Sequence, residues 1–358
     1  MQAKGKSNLV SKSAACKSAN PTINDVAALA GVSKKTVSRV INRSPLLSDA
    51  TRDKVETAIR KIGFVPNPQA RALALRRNFL IVLLHDNPNA QTVLNFQTGV
   101  LQTIRDSDLA LVVRPVDRDS ADMLADVRTF LEKQRPLGVL LLPPISERGD
   151  LADLCRNAGV EYVRIGSAML DDEAHCVASN DREVVSEACQ ALIERGHRRI
   201  GFVRGPSGFR SAQEREDGFR DTMAQAGIAL NEEWIAQGNY RFSSGLVAGE
   251  QILKAAPRPT AILASNDEMA AGVMHAAKHL GIDVPSKLSI VGFDDSPTAS
   301  HLWPPLSTVR WPIVEMGRVA ARKLVARYLP DFDEGAGPLP TRLASTFIDR
   351  ASMGSPSD

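Results

Sequence analysis

The chain has 358 residues, 43% of them hydrophobic, with 44 Lys and Arg against 41 Asp and Glu. Its length exceeds one typical domain, and its apolar content supplies substantial cores. No stretch approaches the ~20 apolar residues of a membrane span, and the N-terminus lacks an apolar signal core, which excludes insertion and export and leads us to expect a cytoplasmic setting.

The net charge of +3 is unevenly spread. Residues 1–78 hold 15 basic and 4 acidic side chains, whereas residues 79–358 hold 29 and 37, so a basic N-terminal segment joins an acidic body. Lys4, Lys6, Lys12 and Lys17 lie among Ser, Ala and Asn and read as a solvated tail over residues 1–20. From Lys34 to Arg77 the charges alternate with periodic apolar residues, as on a folded surface that tracks a polyanion.

Residues 22–42 read as two short amphipathic helices broken at Gly31, the pattern of a helix-turn-helix that reads DNA. Thr22 and Asp25 form a predicted capping box, and Ile23, Val26, Ala27 and Ala30 share one face. Ser33 caps the second helix, with Val37, Val40 and Ile41 inward and Lys34, Lys35, Thr36, Ser38 and Arg39 outward, suited to phosphates and base edges. A third helix is expected from Ser48 to a stop at Gly63, its stripe being Val55, Ala58, Ile59 and Ile62. These elements define a headpiece over residues 21–66.

Residues 67–78 follow as a candidate hinge. Asn67 is an N-cap, Pro68 suits the first helical position, and good helix formers come next. Helices under about 12 residues are marginal in water, so this segment is expected to order against DNA or a partner copy.

Beyond residue 79, short apolar runs alternate with helical stretches: Phe79 to Leu84, Val139 to Leu142, Tyr162 to Ile165, Ile200 to Val203, Ala261 to Ala264 and Leu288 to Phe293. That alternation predicts doubly wound parallel sheets, whose ligands bind beyond the carboxyl ends of the strands. Those ends carry carboxylates, amides and an arginine, a chemistry suited to a polyhydroxylated ligand, with Tyr240 or Trp303 as an aromatic to cover a sugar face. The four cysteines lack metal-ligand spacing and read as reduced thiols, with Cys155, Cys176 and Cys189 packed.

Asp294-Asp295 also has the composition of a glycosidase pair, but adjacent strand residues point to opposite sides, so Asp295 is expected to brace the following turn. His275 and His279 are spaced to share a metal, yet nothing nearby completes a zinc site, and a polar helix face is the expected reading. No catalytic set, metal or cofactor is expected.

Taken together, these motifs resemble the LacI family of bacterial transcriptional repressors from about residue 22 to 350. Thr22 to Asn42 is similar to the family's helix-turn-helix, and Asn67 to Leu75 to its hinge helix. Residues 196–203, 265–269, 289–295 and 304–308 resemble its effector-domain segments. The resemblance implies an N-terminal all-α helix-turn-helix headpiece plus an α/β effector domain of two doubly wound parallel-sheet lobes, periplasmic-binding-protein-like. Lobe 1 would hold about 79–165 and 296–325, lobe 2 about 166–295 and 326–350, with 351–358 as a tail. Thr22, Ser33, Lys34, Lys35, Thr36, Ser38, Arg39, Asn42 and Arg71 would contact DNA, and Leu73 would wedge into the minor groove. Effector contacts would come from Arg215, Asp294, Asn266 and Tyr240, with Asp86, Asn87 and Asp181 as further positions. The family's first lobe often has an Asn-Pro-aromatic-aromatic run, where this chain has Asn87-Pro-Asn-Ala90.

The expected protein is a dimeric, sequence-specific regulator, a repressor at a pseudo-palindromic double-stranded operator. Its effector is a small carbohydrate or related metabolite, and the C-terminus carries no leucine heptad for tetramerisation. A cytoplasmic carbohydrate-binding protein and a sugar-metabolising enzyme are the alternatives.

Overall fold

The computed structural model describes residues 21–41, 46–66, 78–326 and 339–356. The chain divides into two compact units, Met1–Arg76 and Arg77–Asp358.

In the first unit, α1 (Ile23–Ala30), α2 (Lys34–Ile41) and α3 (Asp49–Ile62) surround a small core of Val26, Ala27, Val37, Val40, Val55 and Ala58. The capping box forms: the Thr22 N–H and Oγ1 each donate to Asp25 at 2.7 Å, and the Asp25 N–H returns a bond to Thr22. Gly31 adopts the left-handed φ of 64° that ends α1, and its N–H reaches the carbonyls of Ala27 and Ala28. Ser33 Oγ accepts the Thr36 N–H at 3.1 Å and so starts α2.

In the second unit the chain forms β1 (Leu80–His85), α4 (Ala90–Ile104), β2 (Ala110–Pro115), α5 (Met123–Gln134), β3 (Gly138–Leu141), α6 (Gly149–Asn157), β4 (Glu161–Gly166) and β5 (Cys176–Ser179). It continues through α7 (Asp181–Glu194), β6 (Ile200–Arg204), α8 (Arg210–Gln225), β7 (Ile235–Gln237), α9 (Phe242–Leu253), β8 (Ala261–Ala264), α10 (Asp267–His279) and β9 (Ser289–Asp294). The last elements are α11 (Pro297–His301), β10 (Ser307–Arg310), α12 (Ile313–Ala326), β11 (Arg342–Leu343) and β12 (Thr346–Ile348).

Two sheets result, ordered β11-β5-β4-β3-β1-β2 and β12-β10-β9-β8-β6-β7. Pairing is parallel throughout except between β10 and β12. Each apolar run expected to be a strand is one, because β3 and β8 are buried along their whole length, as a sheet covered on both faces requires.

The chain passes between sheets later than the expected points near 165, 295 and 325. Residues 176–179 pair beside β4 with Arg164 opposite Cys176, so they complete the first sheet rather than opening the second lobe. Residues 307–310 pair beside β9 and belong to the second sheet, not to lobe 1. Residues 342–343 return to the first sheet before β12 closes the second. The reason is backbone pairing: β4 and β9 each still offer a free edge to the next parallel strand, and the chain fills it before crossing. Helix α12 does lie with the first sheet, packed so closely on α4 that a Cβ at Gly99 would sit 1.9 Å from the Val314 carbonyl oxygen.

Residues 351–356 are not a loose tail. Ser352 is fully buried, its carbonyl accepts the Ile290 N–H at 2.9 Å, and the Gly354 N–H donates to Ser289 Oγ at 2.9 Å. They strap the second lobe around His197, which is 1% exposed and is bonded through its ring nitrogens to Thr260, Ser289 and the Gly354 carbonyl. Burial holds the His197 pKa below its ordinary 6.5. The unfolded chain then binds the extra proton first, so this contribution to stability is complete above about pH 6.5 and declines as pH falls below it. Urea midpoints measured from pH 7.5 to 5.5 are expected to fall more steeply for the native chain than for His197→Gln.

Candidate functional site

In the first unit, Lys34, Lys35 and Arg39 are exposed on α2 and Thr36 and Ser38 are half-buried, while Val37 and Val40 face the core. The cationic side chains at the start of α2 coincide with the positive end of the helix dipole, an arrangement that favours an anion. Thr22 and Ser33 use their hydroxyls as caps, which leaves them to position the helices. Asn42, Arg71, Leu73 and most of the expected hinge lie outside the described residues.

In the second unit, a cleft opens where the strand ends of both sheets converge. Asn87 and Pro88 follow β1, Pro143 and Pro144 follow β3, and Ser167 follows β4. From the other lobe come Phe209, Ser211 and Arg215 around the start of α8, then Tyr240, Asn266 and Asp294; Trp311 lies just after β10.

Arg215 is 5% exposed, and its guanidinium lies 3.5 Å from the centroid of the Phe293 ring. Nε donates to Asp181 at 2.8 Å and Nη1 to the Ser265 carbonyl at 2.6 Å. Asp181, expected among the effector contacts, is fully buried, accepts Ser179 Oγ, and is not among the residues that line the cleft; it holds Arg215, which is. The cause is Arg215 itself, whose buried charge requires an opposite one within reach.

Asp294 does reach the cleft. Burial pushes its carboxyl well above the ordinary carboxylate range, Asp267 and Asp181 add to the effect, and Arg215 opposes it. Its φ of 117° and that of Tyr240, 64°, are rare for side-chain-bearing residues and place strained backbone at two points of the site. Asn266 caps α10 through the Met269 N–H and donates to the Tyr240 carbonyl at 3.0 Å, so its amide also holds Tyr240 in place. Tyr240 Oη lies 3.2 Å from Ser211 Oγ, and the ring packs against Gly205, where a Cβ would sit 2.5 Å from Oη.

The first-lobe expectations separate. Asn87 lines the cleft, fixed by donation to the Pro143 carbonyl at 2.8 Å. Asp86 does not; it pairs with Arg118 and accepts the Ile145 N–H at 3.2 Å, because its side chain turns toward the loop after β3. Trp303 is 91% exposed and covers nothing in the cleft, whereas Trp311 lines it and donates from Nε1 to Ser179 Oγ at 3.0 Å. Sequence reasoning missed Trp311, Phe209 and Ser211, and reached Ser167 only as one of the polar strand ends. Ser167 sits directly after β4, so the strand-end signal was available, and its buried Oγ has no hydrogen-bond partner among the described residues.

Asp295 points elsewhere, bonded to Arg310 at 2.7 Å and Arg350 at 2.5 Å, and thus braces the turn as expected. Asp294 therefore has no second carboxylate beside it in the described lining, and the arrangement is one of binding: an acceptor carboxylate, a free hydroxyl, a guanidinium, and aromatic and proline surfaces.

Comparison with known proteins agrees with both halves. Residues 22–67 match the pattern described as "Bacterial regulatory proteins, lacI family", and residues 189–353 match a periplasmic binding protein-like domain. The HTH-type transcriptional regulator CelR of Thermobifida fusca is 34% identical over 318 residues, covering 86% of this chain and 92% of the relative. The HTH-type transcriptional regulator GalR of Escherichia coli K12 is 33% identical over 340 residues, covering 94% and 96%. A solved transcriptional regulator CelR-cellobiose complex superposes with a TM-score of 0.67 at 32% identity, covering 93% of this chain and all of that one. With an exposed cationic recognition helix ahead of a two-sheet ligand cleft, and relatives aligned along almost the entire length, the chain belongs to the lacI family of bacterial regulatory proteins.

Proposed function

We propose that this protein is a homodimeric, cytoplasmic repressor that binds a pseudo-palindromic operator and releases or tightens on it when a small carbohydrate enters the cleft. The observation that carries the effector class is the hydroxyl of Ser167, without a hydrogen-bond partner among the described residues, in the lining of the same cleft as Asp294 and Arg215. A ligand rich in hydroxyls donates to Asp294 and Ser167 and accepts from Arg215, while Trp311, Phe209 and Tyr240 cover its C–H faces. The solved transcriptional regulator CelR-cellobiose complex, similar to this chain, supports the same class. Control is a linkage: an effector that prefers one lobe arrangement shifts the population and, with it, operator affinity. The cleft residues are assigned to binding, with no catalytic role.

The test is thermal unfolding of the full chain against neutral mono- and disaccharides, sugar phosphates and nucleobases, since selective binding raises the midpoint. A shift confined to neutral sugars is expected, followed by a change in operator affinity with the same compound. A shift with nucleobases alone overturns the carbohydrate assignment, and turnover of a bound sugar overturns the non-catalytic one.

A further inference from the structure

Helix α8 carries Ser211 and Arg215 into the cleft, yet it begins without a cap of its own. Its N-cap position is Phe209, which has no side-chain acceptor, and its first turn contains no acidic residue. An uncapped start leaves backbone N–H groups unsatisfied. Here they are satisfied from the opposite lobe: Glu147, in the turn after β3, accepts the N–H of Arg210 at 2.6 Å through one carboxylate oxygen and that of Ser211 at 3.2 Å through the other. A second contact runs alongside, with the Arg118 guanidinium 4.2 Å from the centroid of the Phe209 ring. Arg118 is itself held by Asp86, so both contacts are anchored in the first lobe. Burial raises the Glu147 pKa, and the two N–H groups together with the charges of Arg118 and Arg215 oppose that rise, which suits a carboxylate used as a helix cap.

We infer that Glu147 is an interlobe latch, a positioning residue that supplies the missing cap of α8 and thereby holds the cleft closed before any effector arrives. A local cap at residue 209 would satisfy the same N–H groups whatever the lobe arrangement; a cap borrowed from the other lobe is lost when the lobes part. Opening therefore exposes the start of α8 and loosens the segment that carries Phe209, Ser211 and Arg215, so closure and formation of the site become one event. The effector then acts on a resting state set by the protein itself. The proposal rests on the cleft being the effector site, but its test needs neither effector nor DNA.

Spin labels at Glu132→Cys and Glu233→Cys, one exposed position in each lobe, report lobe separation in the full chain with Cys16 replaced by serine. The remaining cysteines are buried and stay unlabelled. With Glu147 intact, a short, narrow distance distribution is expected without sugar. Glu147→Ala is expected to lengthen and broaden it and to speed hydrogen exchange at Arg210 and Ser211 about tenfold, the typical loss of a helix cap. Exchange in α7 should not change, which shows that the lobe remains folded. Glu147→Gln, whose amide oxygen still accepts one N–H, is expected to fall between the two. Native distances and native exchange at Arg210 and Ser211 in both variants overturn the latch. Failure of every sugar in the thermal panel counts against the effector class alone, so the two ideas fail separately.

Discussion

Arg215→Ala is expected to lower the stability of the second unit by about 3–5 kcal/mol and to abolish the thermal shift with any sugar that stabilises the native chain. Both effects come from one geometry. The arginine and Asp181 are each almost wholly buried, 2.8 Å apart, so removing the cation leaves a carboxylate in a low-dielectric interior with Ser179 as its remaining side-chain partner among the described residues. The Ser265 carbonyl and the face of Phe293 lose their contacts at the same time. Stability and binding can be separated by removing both charges. Asp181→Asn with Arg215→Met keeps an acceptor for Ser179 and a long side chain over Phe293, and it is expected to recover most of the urea midpoint without recovering sugar binding. If the double variant still shifts with sugar, Arg215 serves the fold and the assignment of the cleft to it is wrong.

The second large effect is expected at the other end of the chain. Lys34→Ala with Lys35→Ala should weaken operator binding by at least about 30-fold near physiological salt, taking about 1–3 kcal/mol per base-contacting side chain. Both lysines are exposed at the start of α2, while Val37 and Val40 supply its buried face, so the headpiece should fold unchanged. Two outcomes distinguish what the lysines read. Loss that is uniform across operator variants, with the dependence of log affinity on log salt falling by about one per lysine lost, marks phosphate contacts. Loss concentrated at particular base pairs marks readout of guanine edges. Unchanged affinity would remove α2 as the recognition element.

Much of the headpiece was legible in the sequence because its determinants are local. A capping box needs Thr22 and Asp25 three residues apart, a tight turn needs Gly31, and an eight-residue amphipathic helix shows its buried face in the spacing of Val37 and Val40. The buried strands of the effector unit were legible for a similar reason: a strand covered on both faces must be apolar at successive positions, and β1, β3, β4, β6, β8 and β9 are. What escaped notice were β2, whose residues are largely half-exposed, and short strands such as β7 and β12, whose identity depends on the edge they find. The lobe boundaries shifted for that reason, since pairing of residues 176–179 and 307–310 with a neighbouring edge leaves no periodic trace.

The cleft divides along the same line. By itself the sequence determined a basic three-helix headpiece, a βα alternation, and polar residues at the strand ends, including Asn266 and Asp294, because residue type and period carry that information over a few positions, whereas Arg215, inside a helix, was reached only through the family resemblance. Tertiary structure decided which of those groups meet. It turned Asp86 toward Arg118 and Asp181 behind Arg215, exposed Trp303 and brought Trp311 into the cleft, left Ser167 without a partner among the described residues, and set Glu147 on a helix 63 residues away. Such choices depend on burial and on long-range hydrogen bonding: a buried charge or an uncapped helix start must find its partner in space, and sequence distance places no limit on where that partner lies.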